Sequence, residues 1–270
     1  MNTVYAILVL GVLGAVFGLV LAIASKIFEV ETDERLEPVT ACLPGANCGG
    51  CGFAGCEAYA KALCAGQAEL GLCAAGGQEA ATAIAGILGI ESAQMDRTVA
   101  FVRCSGGCTG QKAEYYGISD CSAAIRVPGS GLTLCATACL GFGNCAAACQ
   151  FDAMHIVDGV AQVDPEKCTG CMACAEACPR NLIVARPYDN KFAVACSNKD
   201  KGATTRAICA DGCIGCKLCE RACESDAVHV DSNLAAIDFS KCVNCGACAA
   251  KCPRKIITDF SGKAAADTVA

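Results

Sequence analysis

Residues 213–223 read CIGCKLCERAC, and residues 242–253 read CVNCGACAAKCP. Each stretch spaces its cysteines x2, x2 and x3. Three thiolates on one tight loop can reach three irons of a cubane, and the fourth, on the exit of the loop, completes the opposite cluster. The spacing therefore predicts two [4Fe–4S] sets: Cys213, Cys216, Cys219 with Cys252, and Cys242, Cys245, Cys248 with Cys223. Zinc is the competing reading, but tetrahedral zinc sites use two C-x2-4-C pairs rather than three thiols in series.

A displacement of 74 residues lays this run over an earlier one. Cys135, Cys139, Cys145 and Cys149 fall on Cys209, Cys213, Cys219 and Cys223. Cys168, Cys171, Cys174 and Cys178 fall on Cys242, Cys245, Cys248 and Cys252. The C-terminal half is thus two copies of one module of about 55 residues plus connectors. His155 and His229 share one repeat position, in an alternating pattern that predicts a strand. In the first copy Cys168, Cys171, Cys174 and Cys149 form one set. The other loop is irregular, because Phe142 stands where the second copy has Cys216. The expectation is that Cys135 replaces the missing ligand, giving Cys135, Cys139, Cys145 and Cys178. A three-iron or empty site is the alternative, and Cys209 looks spare.

The chain has 270 residues and 27 cysteines. That odd count, the C-x2-C spacing and the length argue against a disulfide scaffold. A net charge of −6 argues against nucleic-acid binding. Val4 to Ala24 holds no charged residue, and such a helix spans ~30 Å, the thickness of a bilayer core. The rival is a signal peptide cleaved after Ala22-Ile23-Ala24. Residues 1–3 lack Lys or Arg, however, so an uncleaved anchor over 1–27 is expected. Gly14 and Gly18 would let a partner helix approach closely. An acidic linker covers 28–40.

The first cysteine unit, 41–103, carries Cys48-x2-Cys51-x4-Cys56-x16-Cys73. This predicts a single [4Fe–4S] site, with glycines nearby that let backbone amides approach sulfur. An Ala-, Ile- and Leu-rich helix is expected over 79–89. In the connector, 104–131, Cys104, Cys108 and Cys121 could hold a further cluster with Cys135, in competition with the assignment above. Ferredoxin modules over 132–190 and 191–260 and a tail over 261–270 complete an α+β chain: one N-terminal transmembrane helix, a small α-rich [4Fe–4S] domain and two tandem bacterial-type 2[4Fe–4S] modules.

A single N-terminal apolar helix, then GANCGGCGFAGC at 45–56 with Cys73 beyond, then ferredoxin modules resembles the B subunits of membrane-bound, ion-translocating ferredoxin:NAD+ oxidoreductase (Rnf) complexes. The N-terminal motif by itself also resembles that of corrinoid iron–sulfur proteins. The family's N-terminal ligands carry over to Cys48, Cys51, Cys56 and Cys73. The resemblance implies that the chain takes electrons from reduced soluble ferredoxin and relays them to integral and flavin- or NAD-binding subunits that couple the reaction to Na+ or H+ export. Shorter members have one ferredoxin module, whereas this chain has two. No Gly-rich dinucleotide loop follows a strand and no flavin motif is evident, so the chain is expected to carry clusters, five or six, and neither flavin nor NAD. Clusters are assembled in a reducing cytoplasm, which places the C-terminal part on that side of a single-pass protein. Lys217, Arg221, Lys251 and Arg254, with Arg180 and Lys255, crowd the cluster loops and are expected to steer an acidic ferredoxin. A polyferredoxin subunit of a hydrogenase or heterodisulfide reductase is the alternative reading.

Overall fold

The computed structural model describes residues 2–27, 33–92, 94–108, 117–127 and 133–260. Residues 28–32 of the linker expected over 28–40, residues 109–116 and 128–131 of the connector, and the tail lie outside these residues.

Helix α1 (Asn2–Ile27) is 26 residues long. Its described side chains are Tyr5 and residues 10–23, and the large apolar ones among them are exposed. Among the described residues no helix is long and apolar enough to cross a membrane, so the transmembrane anchor expected over 1–27 finds no support in them.

Three short helices build the next unit: α2 (Leu36–Ala41), α3 (Cys56–Cys64) and α4 (Gly77–Leu88). Helix α4 turns Ala80, Ala81, Ile84 and Ala85 inward, the stripe that a 3.6-residue period requires. It ends at Gly89, whose φ of 68° is the left-handed conformation of a common C-cap. Val39, Leu43, Tyr59, Ala60, Leu63 and Ile84 form this unit's core. The Tyr59 hydroxyl donates to the Glu69 carbonyl at 2.9 Å and accepts from the Leu72 N–H at 3.2 Å, pinning the segment that leads to Cys73.

Strand β1 (Thr98–Val102) follows, then α5 (Cys121–Ala124), α6 (Asn144–Ala147), β2 (Met154–Val157), β3 (Val160–Val163), α7 (Ala173–Glu176) and β4 (Ile183–Pro187). The second module contains β5 (Phe192–Val194), α8 (Gly202–Ile208), α9 (Leu218–Arg221), β6 (Val228–Asp231), β7 (Leu234–Ile237), α10 (Ala247–Ala250) and β8 (Ile257–Asp259). Among the described residues the four sheets are antiparallel pairs: β1 with β4, β2 with β3, β5 with β8 and β6 with β7. His155 and His229 lie in β2 and β6, at matching register.

The pairing redraws one boundary. Residues 98–102 belong by sequence to the first cysteine unit, yet β1 pairs with β4 and packs Val99, Ala100 and Val102 into the core of the first ferredoxin module. Phe101, on the same strand, enters the core of the second module and meets Phe260 edge-on at 5.6 Å. Strand β1 therefore couples the two modules.

Two-stranded sheets are marginal on their own. The modules compensate by using cysteines as core residues: Cys145, Cys168 and Cys174 in the first, Cys213, Cys219 and Cys248 in the second. A core made partly of thiols that line cavities depends on what those thiols bind.

Candidate iron–sulfur sites

The cysteines gather around cavities. Among the described residues no group of three or more Cys, His, Asp or Glu side chains is arranged to hold a single metal ion. The first cavity, of about 380 Å³ including its solvent-open part, is lined by Cys48, Cys51, Cys56 and Cys73. Asn47 shapes its loop: the side-chain oxygen accepts the Cys56 N–H at 2.8 Å, while Asn47 itself holds a φ of 48°. Cys171 of the first ferredoxin module lines the same cavity. Contact there is close, since a Cβ on Gly50 would lie 2.5 Å from the Cys171 carbonyl oxygen.

Cys149, Cys168, Cys171 and Cys174 line a second cavity. Cys213, Cys216, Cys219 and Cys252 line a third. Burial, above all, holds the Cys248 thiol above its ordinary range, and the neighbouring sulfurs of Cys242, Cys223 and Cys245 add to the rise. In each of these groups the exit cysteine of one loop joins the other loop's three. The spacing makes this arrangement legible because loop and exit are local.

The irregular loop is different. Its cavity is lined by Cys121, Cys139, Cys145 and Cys178, not by Cys135. Asp120 caps α5 by accepting the Ser122 and Ala123 N–H groups at 2.8 and 2.9 Å. The Asn144 side chain accepts the Cys121 N–H at 2.8 Å. These bonds carry the connector cysteine into the place left by Phe142. Sequence spacing missed it because nothing local ties Cys121 to a loop that starts at Cys139. The expected grouping of Cys121 with Cys104 and Cys108 is likewise not found. A fifth cavity is lined by Cys104, Cys108, Cys135, Cys196 and Cys209, so Cys135 stands apart from the set expected for it and beside its repeat equivalent Cys209, which is not spare.

Burial dominates the thiol chemistry. It pushes Cys104, Cys145 and Cys219 up to about 11 and Cys174 up to about 12, with neighbouring thiols adding to the rise at each. Such thiols ionise only beside strong positive charge, which irons supply. Backbone amides also aim at sulfur. The N–H groups of Ala100, Ala153, Leu182 and Ala227 donate to Cys168, Cys149, Cys178 and Cys223 at 3.3–3.5 Å. Four converging thiols, apolar walls and N–H···S bonds fit a [4Fe–4S] cubane.

The basic residues divide. Lys217, Arg221, Lys251 and Lys255 are exposed, and Lys217 lies 3.5 Å from Glu220. Arg254 and Arg180, expected at the surface, turn inward. Arg254 donates to the carbonyls of Cys209 and Gly212, and Arg180 to those of Cys135 and Ala138. Carbonyls at the cysteine turns offer these guanidinium groups fixed acceptors that water would otherwise provide.

Comparison with known proteins agrees with this layout. Residues 43–74 match the family described as "Putative Fe-S cluster". Residues 161–184 match the 4Fe-4S binding domain, and 212–256 the 4Fe-4S dicluster domain. The chain is 46% identical over 253 residues to the B subunit of the Na(+)-translocating ferredoxin:NAD(+) oxidoreductase complex of Acetobacterium woodii, covering 93% of this chain and 76% of that one. It is 42% identical to the B subunit of the ion-translocating oxidoreductase complex of Methanosarcina acetivorans, covering 93% and 96% of the two chains. It is also 42% identical to the B subunit of the proton-translocating ferredoxin:NAD(+) oxidoreductase complex of Clostridium ljungdahlii, covering 94% and 91%. Buried thiols around cavities, two ferredoxin modules in tandem and identity along nearly the whole length converge: the chain belongs to the B-subunit family of ion-translocating ferredoxin:NAD+ oxidoreductase complexes.

Proposed function

We propose that the chain is the membrane-anchored electron relay of such a complex, taking electrons from reduced soluble ferredoxin at its second ferredoxin module and releasing them to membrane partners from its N-terminal cysteine unit. Five [4Fe–4S] sites carry the relay. Their ligands are Cys48, Cys51, Cys56, Cys73; Cys121, Cys139, Cys145, Cys178; Cys149, Cys168, Cys171, Cys174; Cys213, Cys216, Cys219, Cys252; and Cys223, Cys242, Cys245, Cys248. When bound, the clusters supply one-electron chemistry. The chain's thiolates hold them, its amides aim at sulfur to tune their potentials, and its apolar walls limit water.

The observation that carries the direction of transfer is the difference in exposure between the modules. Cys216 and Cys245 are exposed. Their first-module counterparts are covered: Cys171 lies against the N-terminal unit, and buried Cys121 fills the place of Cys216. Beside the exposed sulfurs lie Leu218 and Val243, 39% and 68% exposed, and the cations Lys217, Arg221 and Lys251. An apolar centre with a cationic rim suits a small acidic electron carrier. At the other end, Cys171 touches both the first-module cavity and the N-terminal one, which leaves Cys48, Cys51, Cys56 and Cys73 as the last set before α1.

Membrane anchoring rests on the uncharged sequence from Val4 to Ala24 within a 26-residue helix. At 1.5 Å per residue those 21 uncharged residues measure ~30 Å, the thickness of a hydrocarbon core, and the side chains at 4, 6–9 and 24 that count toward them lie outside the described ones. On this reading the cysteine-bearing part faces the cytoplasm. Rapid mixing of the detergent-solubilised chain with reduced ferredoxin, followed by EPR of freeze-quenched samples, tests the direction. Signals from the second module should appear before the signal lost in Cys51→Ala. The reverse order would overturn the reading.

A further inference from the structure

The fifth cavity sits at the seam between the ferredoxin modules, and the repeat is hidden there. Ile183 and Ile257 occupy equivalent places 74 residues apart, and pair with Val102 and Val194 respectively. Val102 and Val194 are therefore structural equivalents, although they lie 92 residues apart because the first module carries the connector as an insertion. Two residues beyond each stand Cys104 and Cys196. This equivalence extends to hydrogen bonds. The Cys139 N–H donates to Cys104 Sγ, and the Cys213 N–H donates to Cys196 Sγ, both at 3.4 Å. The Arg103 N–H donates to the Leu182 carbonyl, and the Ala195 N–H to the Ile256 carbonyl.

We propose that this seam holds a sixth [4Fe–4S] cluster, with two ligands from each module: Cys104 and Cys135 from the first, Cys196 and Cys209 from the second. The proposal rests on the reading that the other cysteine sets hold such clusters. All four sulfurs belong to residues lining one cavity of about 320 Å³, which includes solvent-open space. Cys104 and Cys196 accept backbone N–H groups in the manner of Cys149, Cys168, Cys178 and Cys223. Cys135 and Cys209 are also repeat equivalents, and each is clamped through its carbonyl by the matching arginine, Arg180 or Arg254. The two half-buried guanidinium groups offset the negative charge that four thiolates bring to a cluster. Cys108 lines the cavity as a fifth thiol with no second-module counterpart, so the repeat selects the other four.

Each thiol gives its proton to solvent as its Fe–S bond forms. The site also has a consequence for transfer. Cys104 is bonded to the amide of Cys139, a ligand of the first module, and Cys196 to the amide of Cys213, a ligand of the second. The seam thus lies between the two modules' sets and makes the relay continuous.

The test is iron, acid-labile sulfide and zinc in the full chain, purified anaerobically in detergent. Six clusters predict about 24 irons per chain and five about 20. Cys104→Ser and Cys196→Ser, one in each module, should each bring the count to about 20, and so should the double variant, because both remove one cluster. Cys108→Ser and Cys42→Ser should stay at about 24. A double variant at about 16 would overturn the shared site. So would loss of iron in Cys108→Ser with retention in Cys196→Ser, or one zinc per chain that Cys196→Ser removes. A wild-type chain at about 20 irons, unchanged by these variants, would remove the sixth site alone, whereas a chain without iron would remove the reading beneath it.

Discussion

Gly50→Ala probes the joint between the N-terminal unit and the first ferredoxin module. A Cβ at position 50 would stand 2.5 Å from the Cys171 carbonyl oxygen and 3.2 Å from its carbonyl carbon and Cα, where ordinary contact begins at 3.4 Å. The obstacle is backbone, held in a ligand loop, and cannot rotate aside. The two units must separate by about 0.9 Å, the difference between 3.4 and 2.5 Å. Overpacking of this kind costs roughly 1–3 kcal/mol. For units of this size that lowers the first thermal transition by about 4–8 °C per kcal/mol. The same separation lengthens the step between the site holding Cys171 and the site holding Cys51, so transfer to membrane partners should slow. Gly86→Ala is the control. It makes the same chemical change in the interior of α4, where a Cβ meets nothing within 4 Å, and should stabilise by about 0.4–1 kcal/mol. Calorimetry and freeze-quench EPR on both variants provide the assay. A Gly50→Ala protein that melts and transfers like Gly86→Ala would refute a direct contact between the units.

Further outcomes follow from the same structure. Lys217→Glu with Arg221→Glu should slow reduction by ferredoxin about tenfold at low salt and flatten its salt dependence, as measured by stopped-flow; an unchanged rate at every ionic strength would remove the docking face. Cys121→Ala should eliminate the EPR component assigned to Cys139, Cys145 and Cys178, while Cys135→Ala should leave that component in place; the opposite pattern would restore the grouping expected from sequence. Because burial holds Cys104, Cys145, Cys174 and Cys219 at about 11–12, these thiols are protonated at neutral pH until iron arrives. Reconstitution of the chelated chain should therefore release protons and be favoured as pH rises from 7 toward 9, each thiol contributing up to about one proton. Dye-monitored release that is absent, or reconstitution that improves as pH falls, would contradict the sign.

Legibility in the sequence followed locality. The loops at 168–174, 213–219 and 242–248 and their crossed exit cysteines are readable because every ligand lies within one short repeat. The helix expected over 79–89 appears over Gly77–Leu88 for the same reason, an apolar stripe closed by a glycine. Three features were not readable. Cys121 reaches its set through the Asp120 cap and the Asn144 side chain, both products of tertiary folding. Cys104 and Cys196 become equivalent only after strand pairing cancels the connector's length. Arg180 and Arg254 have the composition of a docking face, but the carbonyls exposed at the Cys135 and Cys209 turns draw them inward.

On the proposed reading electrons arrive at the second ferredoxin module and leave from the N-terminal cysteine unit. Cys51→Ala in the assembled, membrane-bound complex tests it most directly. Reduced ferredoxin is added, and the second-module EPR signals are followed alongside NADH formation. Those signals should develop at the wild-type rate while NADH formation stops. NADH formation at the wild-type rate in Cys51→Ala, or failure of the second-module signals to develop, would contradict it.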